Sequence, residues 1–154
     1  MNIRPANVKD LSKILEINLR SIFEICVSHY ELEVLKQWVG NRSEASFSRS
    51  FSRHQLYVAE DEGCVCGFMD VAPGEIFAIY TLPGKERRGI GRQLLSRGIE
   101  EASKGSREVV LNASLNAVTF YEKFGFVKEK KMSLTRNGIA LPLIKMRLNK
   151  PSGT

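Results

Sequence analysis

Apolar residues recur at helical spacing at Val8, Leu11, Ile14, Leu15, Ile22, Ile25 and Cys26, and predict a helix that runs to about Val27. Asn7 stands where it can cap that helix. Asp10 falls in its first turn, beside the partly positive end of the helix dipole. A short strand around Asn2 to Arg4 comes before it. A second helix is predicted from Glu31 to Val39, with Leu32, Leu35 and Trp38 on one face. The Ser- and Arg-rich stretch from Asn41 to Arg53 also carries Ala45, Phe47 and Phe51, and reads equally as a loop or a short helix.

From Gln55 the helical period gives way to strand patterns. Gln55 to Glu60 and about Cys64 to Val71 read as strands joined by the turn Asp61-Glu62-Gly63. Glu75 to Leu82 is almost wholly apolar, which predicts a strand buried on both faces. A helix begins at Gly89, with Ile90, Leu94, Leu95, Ile99 and Ala102 on one side, and stops near Lys104-Gly105-Ser106. Val109 to Ala113 is a short strand and Asn116 to Phe124 a short helix. Two last strands, Phe126 to Thr135 and Ile139 to Leu148, meet at Asn137-Gly138, the pair that type I′ hairpins prefer. The order β-α-α-β-β-β-α-β-α-β-β puts antiparallel strands first, then one βαβ unit, then a hairpin. That is an α+β pattern, not the repeated βα of a doubly wound nucleotide fold.

The length of 154 residues suits one domain, read here as residues 1–149 with a short tail at 150–154. The formal charge of +6 favours an anionic ligand, nucleic acid or an acidic partner without choosing among them. Three cysteines, Cys26, Cys64 and Cys66, are too few and too odd for a disulfide framework, which points to a reducing cytoplasm. Cys64-x-Cys66 has no second ligand pair, so no metal is expected. No signal-peptide pattern opens the chain and no apolar run reaches membrane-spanning length, so no membrane partner is expected.

Candidate chemistry lies where the apolar strand runs into the helix, at Pro83-Gly84-Lys85-Glu86-Arg87-Arg88-Gly89-Ile90-Gly91-Arg92. The first amides of a helix have no internal partners. Glycine at 89 and 91 lets those amides approach phosphate oxygens, and Arg87, Arg88 and Arg92 add forked cationic donors. The bland alternative is a surface turn with a solvated arginine cluster. No Gly-Lys-Ser/Thr follows, so it is not a P-loop, and the third glycine of the dinucleotide motif is missing. About thirty residues on, Tyr121 sits among Phe120, Phe124 and Phe126 before Gly125 ends the helix. The aromatics fit a core, and the Tyr121 hydroxyl is placed to act as a general acid.

Glu86-Arg87-Arg88-Gly89-Ile90-Gly91 followed by Tyr121-Glu122-Lys123-Phe124-Gly125-Phe126 resembles the GNAT superfamily of acyl-CoA N-acyltransferases. The opening Ile3-Arg4-Pro5-Ala6 and the pair Val58-Ala59-Glu60 and Gly67-Phe68-Met69 are similar too, so the resemblance covers nearly the whole chain. The segment from His29-Tyr30 to Trp38 and the late hairpin resemble small bacterial members of the YafP and YjaB type. The resemblance implies a mostly antiparallel sheet of about seven strands flanked by helices. It also implies acetyl-CoA as co-substrate, held where the strands at Ile79 to Thr81 and at Val109 to Ala113 splay apart. The implied contacts are Ile79, Tyr80 and Thr81 on the arm, and Arg87, Arg88, Gly89, Ile90, Gly91 and Arg92 on the pyrophosphate. Ala117, Phe120, Tyr121 and Lys123 would line the distal end. Two positions depart from the family pattern. Glu86 stands at the usual Gln/Arg position, which leaves that contact to an adjacent arginine. Ser114 stands where Asn is usual, which leaves the contact to Ser114 or Asn116.

The implied reaction is direct attack of a primary amine on the thioester through a tetrahedral intermediate, with backbone N–H stabilising the oxyanion and Tyr121 protonating the thiolate. Glu75, Asp70, His29 or a water would take the amine proton, and of these Glu75 is favoured. Each also has an ordinary structural reading. His29, Tyr30 and Trp38 are candidates for the wall that meets a small-molecule or peptide acceptor, in a monomer or a homodimer. Two alternatives keep nucleic acid in view: a nucleic-acid-binding module, suggested by the charge and the Arg42 to Arg53 segment, or an enzyme of this family acting on an RNA-linked aminoacyl group.

Overall fold

The computed structural model describes residues 1–85, 89–136 and 138–149. The first strand, β1 (Asn2–Pro5), leads through a 3-10 turn (Val8–Asp10) into α1 (Leu11–Glu24). Asn7 caps this turn by accepting from the Lys9 N–H, and the Asp10 carboxylate accepts from the Asn7 N–H in return. Asp10 also binds Arg4 at 2.8 Å, and Arg4 reaches Glu60 at 3.0 Å. These contacts hold the Asp10 carboxyl below the usual range, and the Arg4 guanidinium is the larger cause. Val8 does not join the helix face and is exposed, because the 3-10 turn shifts its phase. The first helix is also shorter than expected, and Cys26–Ser28 form a separate 3-10 turn.

α2 (Leu32–Val39) follows, and the ambiguous stretch resolves into a 3-10 turn (Glu44–Phe47) and α3 (Ser48–Ser52). β2 (Leu56–Asp61), β3 (Cys64–Ala72) and β4 (Glu75–Thr81) form a meander. α4 (Ile90–Ala102) crosses over to β5 (Glu108–Ala113), and α5 (Val118–Glu122) precedes the hairpin β6 (Val127–Arg136) and β7 (Ile139–Asn149). Gly138 has φ +78°, as the predicted hairpin turn requires, and Asn137 lies outside the described residues. The seven strands order as β1-β2-β3-β4-β5-β7-β6, with β4–β5 the parallel neighbours.

Alternation along the strands sorts the two faces. Met69 and Val71 pack with Ile90, Leu94 and Leu95 of α4, and Phe68 packs with Ile14 and Ile17 of α1. Gly67 brings α4 close: a Cβ there would lie 3.0 Å from both Ile90 and Leu94 side chains. Leu141 and Leu143 of β7 meet Ile22, Tyr30 and Leu35, so α1 and α2 together cover the far half of their face. In Cys64-x-Cys66 the register shifts at Ala59/Glu60, leaving Cys64 exposed and Cys66 buried. A bulge therefore breaks the shared face that simple alternation predicts.

Candidate active site

β4 and β5 are joined at Glu75 and Val110 and nowhere beyond, so the sheet opens into a cleft from that vertex. The Val110 N–H closes the vertex by donating to the Gly74 carbonyl at 2.9 Å. Six residues of β4 run from the vertex to Thr81, a length of about 20 Å at the rise of an extended strand. The Leu82 N–H donates to the Cys66 carbonyl, so Leu82 and Tyr80 turn their backbone groups toward β3. Ile79 and Thr81, out of phase by one, turn theirs toward the cleft. The Ser21 hydroxyl of α1 takes the Thr81 carbonyl at 2.7 Å. That leaves the Thr81 N–H and both Ile79 groups facing the opening.

Sequence pattern did not reveal the bulge in β4. Asp70 pairs with Ala78 and Val71 with Ile76, so Phe77 has no partner on β3. This corrects the expectation of a strand buried on both faces. Ile76 packs under α4, Ala78 and Tyr80 pack under α1, and Phe77 between them is 52% exposed. The extra residue changes which face the chain presents, a device common beside active sites. The run Ile76-Phe77-Ala78-Ile79 is apolar throughout and carries no mark of it.

The far end of the cleft meets the start of α4. Gly89 has φ +72° and a Cβ there would meet open space, while the first turn of α4 presents its amides beyond it. A Cβ on Gly91 would lie 3.5 Å from the Phe120 ring and 3.8 Å from the Thr81 methyl. Gly91 therefore faces the mouth between β4 and α5. Ile90 contributes only backbone here, since its side chain is fully buried, and Arg92 is exposed. Arg87 and Arg88, with Glu86, lie outside the described residues.

Tyr121 is buried on the α4 side of the cleft, its ring 5.3 Å from Phe120 and 5.8 Å from Phe126. Its hydroxyl makes no hydrogen bond to a described residue, and it is not among the unpartnered atoms sealed from solvent. Burial pushes the phenol above its ordinary pKa, so it holds its proton at neutral pH. Glu75 stands at the vertex on the opposite face, half-buried. Burial raises its carboxyl, and the charge of Lys145 partly offsets that rise.

The remaining candidates divide. Ser114 and Asn116 lie near the buried Cys26 thiol, whose pKa burial raises to about 11. The Asn116 Oδ1 is buried without a partner. Ala117, like Ile79 and Phe120, packs against the buried cluster under α4, and Lys123 is exposed past the end of α5. Tyr80 offers no backbone to the cleft, and its ring lies 5.6 Å from Phe68. The Tyr30 hydroxyl is committed: it donates to the Pro142 carbonyl at 2.6 Å and accepts from the Leu115 N–H at 2.9 Å. Trp38 packs near Tyr30 and lines a shallow groove with Val34, Gln37, Leu134, Ile139 and Leu141. His29 is exposed and bonded to Ser28. Asp70 accepts from Ser50 at 2.6 Å, its other oxygen is buried without a partner, and burial raises its pKa. Arg42 turns inward to Asn18 at 2.7 Å, which withdraws it from the basic surface of its segment. Among the described residues no group of His, Cys, Asp and Glu is placed to hold a metal, and no helix is long and apolar enough to cross a membrane.

Residues 26–150 match the family described as Acetyltransferase (GNAT) domain. The uncharacterized N-acetyltransferase YafP of Escherichia coli is 24% identical over 138 residues, covering 90% of this chain and 89% of that protein. A GCN5-related N-acetyltransferase from Rhodopseudomonas palustris superposes with a TM-score of 0.90 at 25% identity, covering 96% of this chain and 94% of that one. The protein yncA of Salmonella typhimurium, solved with its cofactor acetyl-CoA, shares the fold with a TM-score of 0.73 at 23% identity, covering 100% of this chain and 96% of that one.

Proposed function

The chain belongs to the acetyltransferase (GNAT) domain family, and from that premise we propose that it transfers the acetyl group of acetyl-CoA to a primary amine on a small molecule or peptide. One observation carries the reading: the cleft between β4 and β5 opens from Glu75 and ends on the glycine-lined start of α4. The acetyl-bearing co-substrate of yncA supports the choice of acyl donor. Acetyl-CoA brings an acetyl group already activated as a thioester.

The chain's own residues then have distinct tasks. The cleft-facing groups of Ile79 and Thr81 bond the extended arm as a neighbouring strand would. The amides of Gly89, Ile90 and Gly91 meet the pyrophosphate, with Arg92 and the arginines at 87 and 88 adding charge. The unpartnered Asn116 Oδ1, beside Ser114, is an acceptor for an amide N–H of the arm. Phe120 and Ala117 pack the opposite wall, with Lys123 at its outer end. Glu75, raised by burial, takes a proton from the amine on one face of the sheet. Tyr121, kept protonated, gives one to sulfur on the other as the C–N bond forms and the C–S bond breaks. None of the three cysteines forms a disulfide, which fits a reducing cytoplasm.

Calorimetry with acetyl-CoA, followed by an amine screen read as free thiol, tests the reading. Saturable binding should stabilise the fold by about 2.7 kcal/mol at a hundred times Kd. Absence of saturable binding at millimolar acetyl-CoA overturns it.

A further inference from the structure

On the face of the sheet that carries α1 and α2, a strip beside the cleft vertex is left uncovered. Val109, Leu111 and Ala113 are buried under α4, so Val110 and Asn112 face the other way. Arg147 and Lys145 lie directly opposite them on β7 and share that face. Ile76 is also under α4, which puts Glu75 on the same side as these four. The β4 bulge adds an exposed Phe77 beside Glu75. α1 and α2 stop short of the strip, covering Tyr80, Leu141, Leu143 and Met132 instead.

We infer that this strip is the acceptor pocket and that its substrate is a zwitterionic α-amino acid with an apolar side chain, the amine toward Glu75, the carboxylate on Lys145 and the side chain against Phe77. The inference rests on the acetyl-transfer reading above and names its acceptor class. Among the described residues Glu75 makes no ion pair or hydrogen bond through its side chain, and the charge of Lys145 partly offsets the rise that burial gives its carboxyl. The register sets Lys145 two strands over from Glu75 on the same face, and no ion pair joins them. An α-amino acid presents its ammonium and carboxylate about 3 Å apart, so it can bridge such a pair head to tail. Lys145 has donors to spare. Its ion-pair partner is Glu129 at 3.6 Å, and Arg147 already grips Glu129 at 3.0 and 3.1 Å. Arg147 is closed off further by its ion pair with Glu108. An ammonium offers three donors and here meets one distant carboxylate. Asn112, exposed and directly across from Lys145, adds an amide that can orient the carboxylate. Phe77, 52% exposed where the bulge lies, offers an apolar ring to the strip.

The test measures binding to the full chain with coenzyme A present, which prevents turnover. The probes are phenylalanine, phenylalaninamide and phenethylamine. Phenylalanine should bind at least about tenfold more tightly than the other two, the loss expected when a charged partner is removed. Lys145→Met should bring the three within about twofold while coenzyme A affinity stays unchanged, and Lys145→Arg should keep the preference. Phe77→Ala should weaken phenylalanine by about two- to tenfold, the worth of an aromatic contact. Equal binding of the three probes, a preference that survives Lys145→Met, or no binding of any probe at millimolar concentration overturns the inference. Acetyl-CoA titrated into the wild-type protein without coenzyme A or probe separates the two levels. A sample that binds acetyl-CoA without discriminating the probes sinks only the acceptor class, whereas one that binds no acetyl-CoA sinks the transfer reading with it.

Discussion

Replacing Gly91 by alanine separates the cofactor role of the loop from its structural role, because the two effects have opposite signs. The added Cβ would sit 3.5 Å from the Phe120 ring and 3.8 Å from the Thr81 methyl, which is ordinary van der Waals contact. Packing therefore admits the methyl. Gly91 is the second residue of α4, where alanine is the better helix former by up to about 1 kcal/mol. Stability should be unchanged or rise, with a melting temperature up by at most about 4 °C. The same methyl narrows the mouth through which the donor must pass and pushes its phosphates away from the helix amides. Loss of one hydrogen bond to a charged group, about 1.5–3 kcal/mol, corresponds to roughly a 10- to 150-fold rise in Kd. Calorimetry of wild type and Gly91→Ala with acetyl-CoA, paired with thermal melts, reads both quantities. A Kd within about threefold of wild type in a normally melting variant would place the phosphate cradle elsewhere. A large drop in melting temperature would instead refute the packing argument. Gly91→Val is a poorer probe, since its branches would run into Phe120.

Other expectations follow from the same geometry. Tyr121→Phe should lower kcat by about 10²–10⁴-fold with donor affinity and melting nearly unchanged, because the hydroxyl bonds no described residue. Retained turnover under saturating substrates would remove Tyr121 from the acid role. The rate should fall as pH drops through the Glu75 pKa, which burial lifts above the ordinary glutamate value of about 4.3, and Glu75→Gln should erase that limb of the profile. A profile identical in Glu75→Gln would hand the base to another group. Asp10→Asn should cost about 1–3 kcal/mol through its cap and its bond to Arg4. Since the folded Asp10 pKa is lowered, its contribution is full above the unfolded value near 3.9 and is lost as pH falls below it. Melts of wild type and Asp10→Asn should therefore converge in acid, and parallel curves down to pH 2 would contradict the assignment.

Much of the molecule was written locally. Amphipathic spacing placed α1, α2 and α4 because a helix buries one stripe and the stripe repeats with its own turn. The cap at Asn7, the positive φ of Gly89 and the hairpin at Gly138 are likewise choices a few neighbouring residues make alone. The order of elements and the motifs around Gly89 and Tyr121 led to the family. What chain order could not decide was everything that depends on which strands separate and which residue is extra. The bulge at Phe77 is a mismatch between two strands, visible only once Val71 and Ile76 are paired. The Ser21 bond to the Thr81 carbonyl spans 60 positions. The Tyr30 hydroxyl braces the fold because Leu115 and Pro142 arrive from far along the chain to meet it. Lys145 and Asn112 carry no local motif, and their place beside Glu75 comes from the registry of β5 against β4 and β7. Periodicity records which face of an element is apolar. Only strand pairing decides what that face is set against.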